Sequence, residues 1–319
     1  MSHHKILIGL CTYRRPQMLR ECLRSLAKLK LPNNSETCCY IINNDTTPLS
    51  GAIIKEFSEI ETPISFLFSE CLERGIPQAR NIILEKADAE SYDYCLFLDD
   101  DEFADEDWLV QILNCQKETS SHAIQGQVKN HYENRPWLLA PLLKETKFDV
   151  QGGHLHKFVS TCNVLLTRQL YASDGFQLRF DQKLALTGGS DKELFLKAQE
   201  LHNIKITFCA NAVVNETIPA SRTTIQWHFI RLARIESNRF ILKQQRNGKL
   251  HTILYMLPTA LLNLIKSLVY SITTILFLVV PKQSARQFLK LLKSSAKLWG
   301  YLSSITGFHI NAYKTTTGS

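Results

Sequence analysis

Apolar positions along the chain follow two alternating rhythms. The runs Lys5 to Cys11, Tyr40 to Ile42, Ile64 to Phe68 and Tyr94 to Leu98 predict buried strands, and the last suits a central parallel strand. Pro16 to Leu29 places Leu19, Cys22, Leu23 and Leu26 on one helical face behind a proline suited to a first turn, and Pro77 to Lys86 predicts a second helix. This βα repetition predicts an α/β fold. Ligands in such sheets sit at the carboxyl ends of the strands, which directs attention to the polar residues after Leu10, Ile42 and Leu98. The rhythm becomes irregular from Gly126 to Gly153, around Pro136, Trp137 and Pro141, and strands return at Phe158 to Leu166 and Ile204 to Val214. Residues 221–250 predict a basic helix, with Ile225, Phe229, Leu232, Ile235 and Phe240 roughly at helical spacing.

Thr252 to Val280 carries one charge, Lys266, and is long enough to span a bilayer once. A single crossing would move Lys282, Arg286, Lys290, Lys293 and Lys297 away from the cytosolic side, against the positive-inside bias. The expectation is therefore a shallow hairpin, or in-plane helices, with arms meeting near Lys266. Ala285 to Phe308 sets Phe288, Leu291, Leu292, Leu298, Trp299 and Leu302 opposite its lysines, the pattern of an interfacial amphipathic helix. A soluble helical subdomain using the same residues as core is the alternative.

Composition adds limits and one clue. With 319 residues, 45% hydrophobic and 21% charged, the chain can bury a sizeable core and is neither collagen-like, coiled-coil nor wholly disordered. From Arg222 onward fourteen basic residues face one acid, Glu236, whereas the preceding part is net acidic. A basic tail on an acidic body is attracted to anionic membrane or to nucleic acid. The nine cysteines form no CxxC pair, so a zinc site is not expected. Their odd number, and a first apolar run too short for targeting, place the catalytic portion in the reducing cytosol.

Three motifs carry candidate chemistry. Leu98-Asp99-Asp100-Asp101-Glu102 ends an apolar strand in four carboxylates, whose repulsion calls for a counter-charge such as Mg2+ or Mn2+. A helix start is the competing explanation, since Phe103 to Cys115 reads as helical. In Thr187-Gly188-Gly189-Ser190-Asp191-Lys192-Glu193, Ser190 and Glu193 match a capping box and put Asp191 in a first helical turn, where it can accept a proton from an attacking hydroxyl. Gly75 to Asn81 places Arg80 near a helix start, suited to a phosphate, and Thr12, Tyr13, Arg14 and Arg15 follow the first strand.

Taken in order, these pieces resemble a glycosyltransferase of family 2. Ile8 to Gln17 is similar to the family's opening strand and turn, Ile41 to Asp45 to its second strand with a base-binding acid, and Gly75 to Asn81 to its glycine to Ala-Arg-Asn element. Leu98 to Asp101 resembles its DxD motif and Gly188 to Asp191 its Gly-Gly-Glu-Asp motif. The opening combined with Asp-Asp-Asp-Glu looks most like the succinoglycan-type exopolysaccharide glucosyltransferases. The resemblance covers roughly residues 5–240. It implies a GT-A fold, a Rossmann-like mixed sheet flanked by helices, with a C-terminal helical membrane-associating region. Residues 1–221 would form the catalytic domain, 222–251 a basic helix completing the acceptor side, and 252–319 the membrane-associating helices.

By the same resemblance, Asp99 and Asp101 would hold the metal, and Asp191 would be the base of an inverting displacement. Thr12, Tyr13, Arg14, Asn43, Asp45, Arg80, Asp99 and Asp100 would contact the nucleotide sugar. Asn43 stands where the family usually has an acid, and Ser190 replaces the Glu before the base. Trp137, Ser190, Arg222, Trp227, His228 and Arg231 are acceptor-side candidates, Trp227 also fitting simple packing. The implied setting is the cytoplasmic face of the inner (plasma) membrane, with a lipid-linked saccharide acceptor at an anionic membrane surface. A sugar-nucleotide nucleotidyltransferase is the rival enzyme, although no basic glycine-rich loop lies near the first strand. A basic-tailed nucleic-acid-binding protein is the rival of another class; the apolar segment suits lipid better, and no nucleic acid partner is expected.

Overall fold

The computed structural model describes residues 3–49, 51–143, 150–151, 154–155, 160–185 and 188–307. Strand β1 (His4–Thr12) is flanked by two parallel neighbours, β2 (Ser35–Asn43) and β4 (Tyr94–Asp99), and β3 (Ser65–Glu70) extends the sheet beyond β2. The continuous apolar character of β1, β2 and β4 follows from helices covering both faces. One layer includes α1 (Pro16–Leu26), α2 (Gly51–Glu59) and α4 (Trp108–Thr119), and the other includes α3 (Ile76–Ala89). Register aligns the carboxyl ends: Thr12 lies beside Asn43, and Cys11 beside Asp99.

The second half of the sheet is mixed. β9 (Val164–Thr167) runs antiparallel between β4 and β6 (Ala123–Tyr132), and β6 lies parallel to the long β10 (Ile206–Ile218). The short strands β7 (Val150–Gln151) and β8 (His154–Leu155) finish that edge, and β5 (Glu102–Ala104) pairs antiparallel with the far end of β10. Residues 158 and 159 of the expected strand lie outside the described residues. A short helix α5 (Arg168–Tyr171) follows β9, and α6 (Ser190–His202) leads into β10. Asn163, fully buried, ties this half together. Its Oδ1 accepts from Trp108 Nε1 at 2.7 Å, and its Nδ2 donates to the carbonyls of Gln127 and Ala212, each at 2.9 Å.

Three expectations are corrected. Phe103 does not begin a helix, because Glu102–Ala104 is captured as β5 by Val214–Glu216 and the helix starts only at Trp108. Ser190 does not cap α6. Gly189, at φ +89°, holds the cap position, Ser190 is the first helical residue and is buried, and its side chain makes no capping bond. The apolar tail does not break near Lys266. It forms one helix, α8 (Lys249–Leu276), which continues through Pro258 and turns only at Phe277–Val280 into α9 (Pro281–Thr306). A lysine costs a helix interior little, so nothing at Lys266 forces a bend.

Helices α8 and α9 are antiparallel: Ser284 Oγ donates to the Thr274 carbonyl, Ser267 Oγ meets Ser294 Oγ, and Tyr301 Oη donates to the Ile253 carbonyl. Both pack on α7 (Ile225–Asn247), whose Phe240 is enclosed by Met256, Ala260 and Tyr301. Gly300 permits the close crossing, since a Cβ there would stand 2.2 Å from the Ala233 carbonyl oxygen. By length and composition α8 can cross a membrane, and Leu261, Ile265, Leu268, Ile272 and Ile275 leave much of its length exposed and apolar.

Candidate active site

The carboxyl ends of β1, β2 and β4 lie side by side, and the acidic run at the end of β4 forms the floor of the cleft expected there. Asp99 closes β4 with its side chain 43% exposed, while Asp100, Asp101 and Glu102 turn inward and are buried. Buried carboxylates need partners. Thr12 Oγ1 donates to Asp100 at 2.7 Å, and Arg15 Nη1 donates to Asp100 at 3.3 Å and Asp101 at 3.0 Å. Arg222, arriving after β10, donates through Nη2 to Asp101 at 3.2 Å and through Nη1 to Glu216 at 3.0 Å. Arg80, buried on α3, reaches Asp99 at 3.4 Å, and Glu102 accepts the Asp99 N–H at 3.0 Å.

Three guanidiniums thus face five carboxylates, and the surplus of negative charge appears in proton affinities. Burial, then Asp101, raises Asp100 to about 6 against the pull of Arg15, and burial with Asp101 lifts Glu216 to about 7. Glu102 is pushed well up by burial and by Asp99. Enclosure raises Asp99 as well; Arg80 opposes, and both Asp101 and Asp191 add to the rise. Asp191 therefore lies within electrostatic reach of Asp99. Its Oδ1 accepts the N–H of Lys192 at 2.8 Å in the first turn of α6.

Asn81, the last residue of the Gly75 to Asn81 element, positions the segment leading to Asp191. Its amide donates to the Phe180 carbonyl at 3.0 Å and accepts the Phe180 N–H at 2.8 Å. Gly75, at φ +136°, lies against Ala185, where an added Cβ would stand only 2.5 Å from the Ala185 Cβ. Thr187 lies outside the described residues.

The nucleotide-side candidates divide. Asp45 accepts from Arg14 Nε at 3.0 Å and from the Thr46 N–H at 2.8 Å; the Arg14 hydrogen bond holds its carboxyl below the usual range. Arg14 itself lies over the Tyr13 ring. Asn43 is buried and donates to the Thr47 carbonyl, shaping the loop. Asn44 clamps the next turn by donating to the carbonyls of Cys71 and Glu73 and accepting the Gly75 N–H.

On the acceptor side, Arg222 joins the acidic floor, Ser190 is buried, and Trp137 is 68% exposed on the turn before Leu139. Trp227 packs edge-on against His228, and Arg231 lies 5.0 Å above the Trp227 ring. His228 is buried, with Nε2 lacking a hydrogen-bond partner. Glu216 and its bridge to Asp101 through Arg222 were not anticipated. The available signal was an isolated acid near the end of an otherwise apolar strand.

Among the described residues no group of three His, Cys, Asp or Glu side chains forms a ready metal cage. The donor set nonetheless fits a hard divalent cation that takes one or two carboxylates and completes its shell elsewhere. Asp99 is open to the cleft, Asp101 stands two residues on, and the floor has negative charge to spare.

A sheet of this topology with an acidic strand end facing a helix-borne Asp defines a glycosyltransferase-type fold, and solved structures agree. The mannosyltransferase PcManGT from Pyrobaculum calidifontis, in complex with GDP-Man and Mn2+, superposes with TM-score 0.64 at 16% identity, covering 96% of this chain and 88% of its own. S. aureus TarS 1-349 in complex with UDP gives TM-score 0.53 at 14% identity, covering 95% and 92%. The family model for glycosyl transferase family 2 matches residues 7–173, and the chain belongs to that family. It is 32% identical over 227 residues, 69% of each chain, to the succinoglycan biosynthesis protein ExoM of Rhizobium meliloti (strain 1021).

Proposed function

We propose that this glycosyltransferase moves a hexose from a nucleotide-diphosphate sugar to a lipid-linked glycan during cell-surface polysaccharide biosynthesis, with inversion at the anomeric carbon. The observation that carries the reading is that the acidic end of β4 and Asp191 in the first turn of α6 are near enough for the Asp191 charge to act on Asp99. The similarity to a succinoglycan biosynthesis protein supports the polysaccharide setting.

In this reading the nucleotide lies along Thr12, Tyr13, Arg14 and Asp45, with Asn43 shaping the loop beneath it. The diphosphate lies toward Arg80 and the acidic floor. Asp99 and Asp101 would hold Mg2+ or Mn2+, and Asp100, bound to Thr12 and Arg15, keeps the run in place. A bound cation would neutralise charge developing on the departing diphosphate. Arg80 adds a second positive contact on the same side. Asp191 takes the proton of the acceptor hydroxyl as it attacks from the opposite face, so one displacement suffices and no covalent enzyme intermediate forms.

The division into a catalytic domain (1–221), an acceptor-side basic helix (222–251) and membrane-associating helices (252–319) belongs to the same proposal. The exposed apolar length of α8 and the lysines of α9 support attachment to the cytoplasmic face of the inner membrane, where a lipid-linked acceptor is met in two dimensions. Trp137 stands on that side of the cleft, since Leu139 and Leu143 pack with Leu289 and Leu292 of α9. A panel of nucleotide sugars with and without Mn2+, followed by calorimetry and donor hydrolysis, tests the proposal. One donor should bind in a Mn2+-dependent way and hydrolyse slowly, whereas binding of none, or pyrophosphate release from a nucleoside triphosphate and a sugar phosphate, contradicts it.

A further inference from the structure

Helix α7 presents Trp227, Arg231, Arg234 and Asn238 at spacings of four, three and four residues, which places them within one narrow arc of the helix. Asn238 fixes where that arc points. Its Nδ2 lies 3.5 Å from the position a Cβ would take on Gly188, in the turn that carries Asp191. The other side of the helix is occupied, because Ala233, Ser237 and Phe240 pack on α9 and α8. The arc therefore lies on the side of α7 from which Asn238 meets the turn that carries Asp191.

Its two arginines stand outside the ion pairs of the acidic floor, with Glu216 a more distant counter-charge to Arg231. Glu216 is bonded to Arg222, which is also bonded to Asp101, and neither Arg231 nor Arg234 forms an ion pair with any described residue. Arg231 is exposed, and Arg234 is half-buried beside it. Beside them, His228 is 7% exposed and its Nε2 has no partner. Two guanidiniums outside any ion pair, one of them lying over the Trp227 ring, suit a phosphate.

Resting on the glycosyltransferase reading above, we propose that Arg231 and Arg234 bind the diphosphate of a lipid-linked acceptor. Helical rise sets Arg234 about 6 Å and Arg231 about 10 Å from Asn238 along the axis, so the anion is held some way from the base. In the proposed function the donor's diphosphate is met instead by Arg80 at the strand ends. An apolar path also leaves this site in the direction of the tail: Tyr132, near Arg231, packs with Leu139, Phe229, Phe288 and Leu289. A lipid chain attached to a phosphate on Arg231 can follow that path to α9.

The full chain in neutral detergent micelles, saturated with Mn2+ and UDP or GDP, would be titrated with farnesyl diphosphate and with farnesol. Wild type should bind farnesyl diphosphate but not farnesol. R231Q/R234Q should weaken farnesyl diphosphate at least tenfold with less than a twofold change for the nucleotide, and R231K/R234K should recover most of the loss. Equal weakening of nucleotide and farnesyl diphosphate would assign these arginines to the donor and overturn the proposal, as would unchanged farnesyl diphosphate binding by R231Q/R234Q. Failure of wild type to bind any nucleotide would instead reject the parent reading, and the farnesyl diphosphate arm would still decide the role of the arginines.

Discussion

Glu216 is placed where a single substitution reads the electrostatics of the cleft floor. Burial, Asp101 and Asp99 raise its carboxyl from 4.5 to about 7, against the pull of Arg222 and Arg231. A carboxyl with a higher pKa in the folded than in the unfolded chain holds its proton more tightly when folded. Its stabilising contribution is complete below about pH 4.5 and is lost as the pH rises through about 7. A shift of about 2.5 pH units amounts to roughly 3 kcal/mol. Glu216→Gln keeps the shape and the Arg222 contact but cannot ionise, so it should escape that loss. At about 2 °C per kcal/mol, the melting temperature of E216Q relative to wild type should rise by roughly 6 °C between pH 4.5 and 8 in divalent-free buffer. His122 and His228, whose proton affinities are lowered by burial, titrate in both proteins and drop out of the difference. Circular-dichroism melts across that pH range check the result, and parallel curves for the two proteins would refute the reasoning.

Glu102 is buried and accepts the Asp99 N–H, a contact that a glutamine oxygen can also make; Glu102→Gln should leave Mn2+-dependent donor binding within about twofold of wild type by calorimetry. Asp101→Asn should weaken that binding at least tenfold, and unchanged metal dependence would remove Asp101 from the site. Gly75→Ala forces a side chain onto Ala185 at a backbone angle unsuited to it, and should cost about 1–3 kcal/mol in denaturant unfolding. Placing glutamates at Leu261, Ile265, Leu268 and Ile272 should move the full chain from the membrane pellet to the soluble fraction, because these residues are exposed on α8 and carry little of its packing.

The parallel half of the sheet was readable in the sequence because β1, β2 and β4 are buried on both faces and carry unbroken apolar runs. Their ends extended further than periodicity indicated, since hydrogen bonding to a neighbour prolongs a strand past its last apolar residue, as at Thr12 and Asn43. Features that depend on distant partners were not readable. Glu102–Ala104 has the composition of a helix start and becomes a strand only because residues 214–216 of β10 arrive beside it. In the same way, the acidic run was visible as a run, but its counter-ions come from Arg15 after β1 and Arg222 after β10. Gly188 and Gly189 were legible as a turn, yet their positive φ angles moved the helix cap from Ser190 to Gly189. In the tail, the hairpin expected within residues 252–280 is replaced by one continuous helix, and the chain turns only at Phe277–Val280 before Pro281 starts the helix that covers the amphipathic stretch read at 285–308.

Asp191 as the base, acting opposite a donor held over Asp99, is tested most directly by Asp191→Asn in the full chain, with donor affinity measured by calorimetry and transfer measured in a single turnover. Donor binding within a few-fold of wild type together with loss of transfer by at least a thousandfold is the predicted result. Transfer at a rate near that of wild type would contradict it.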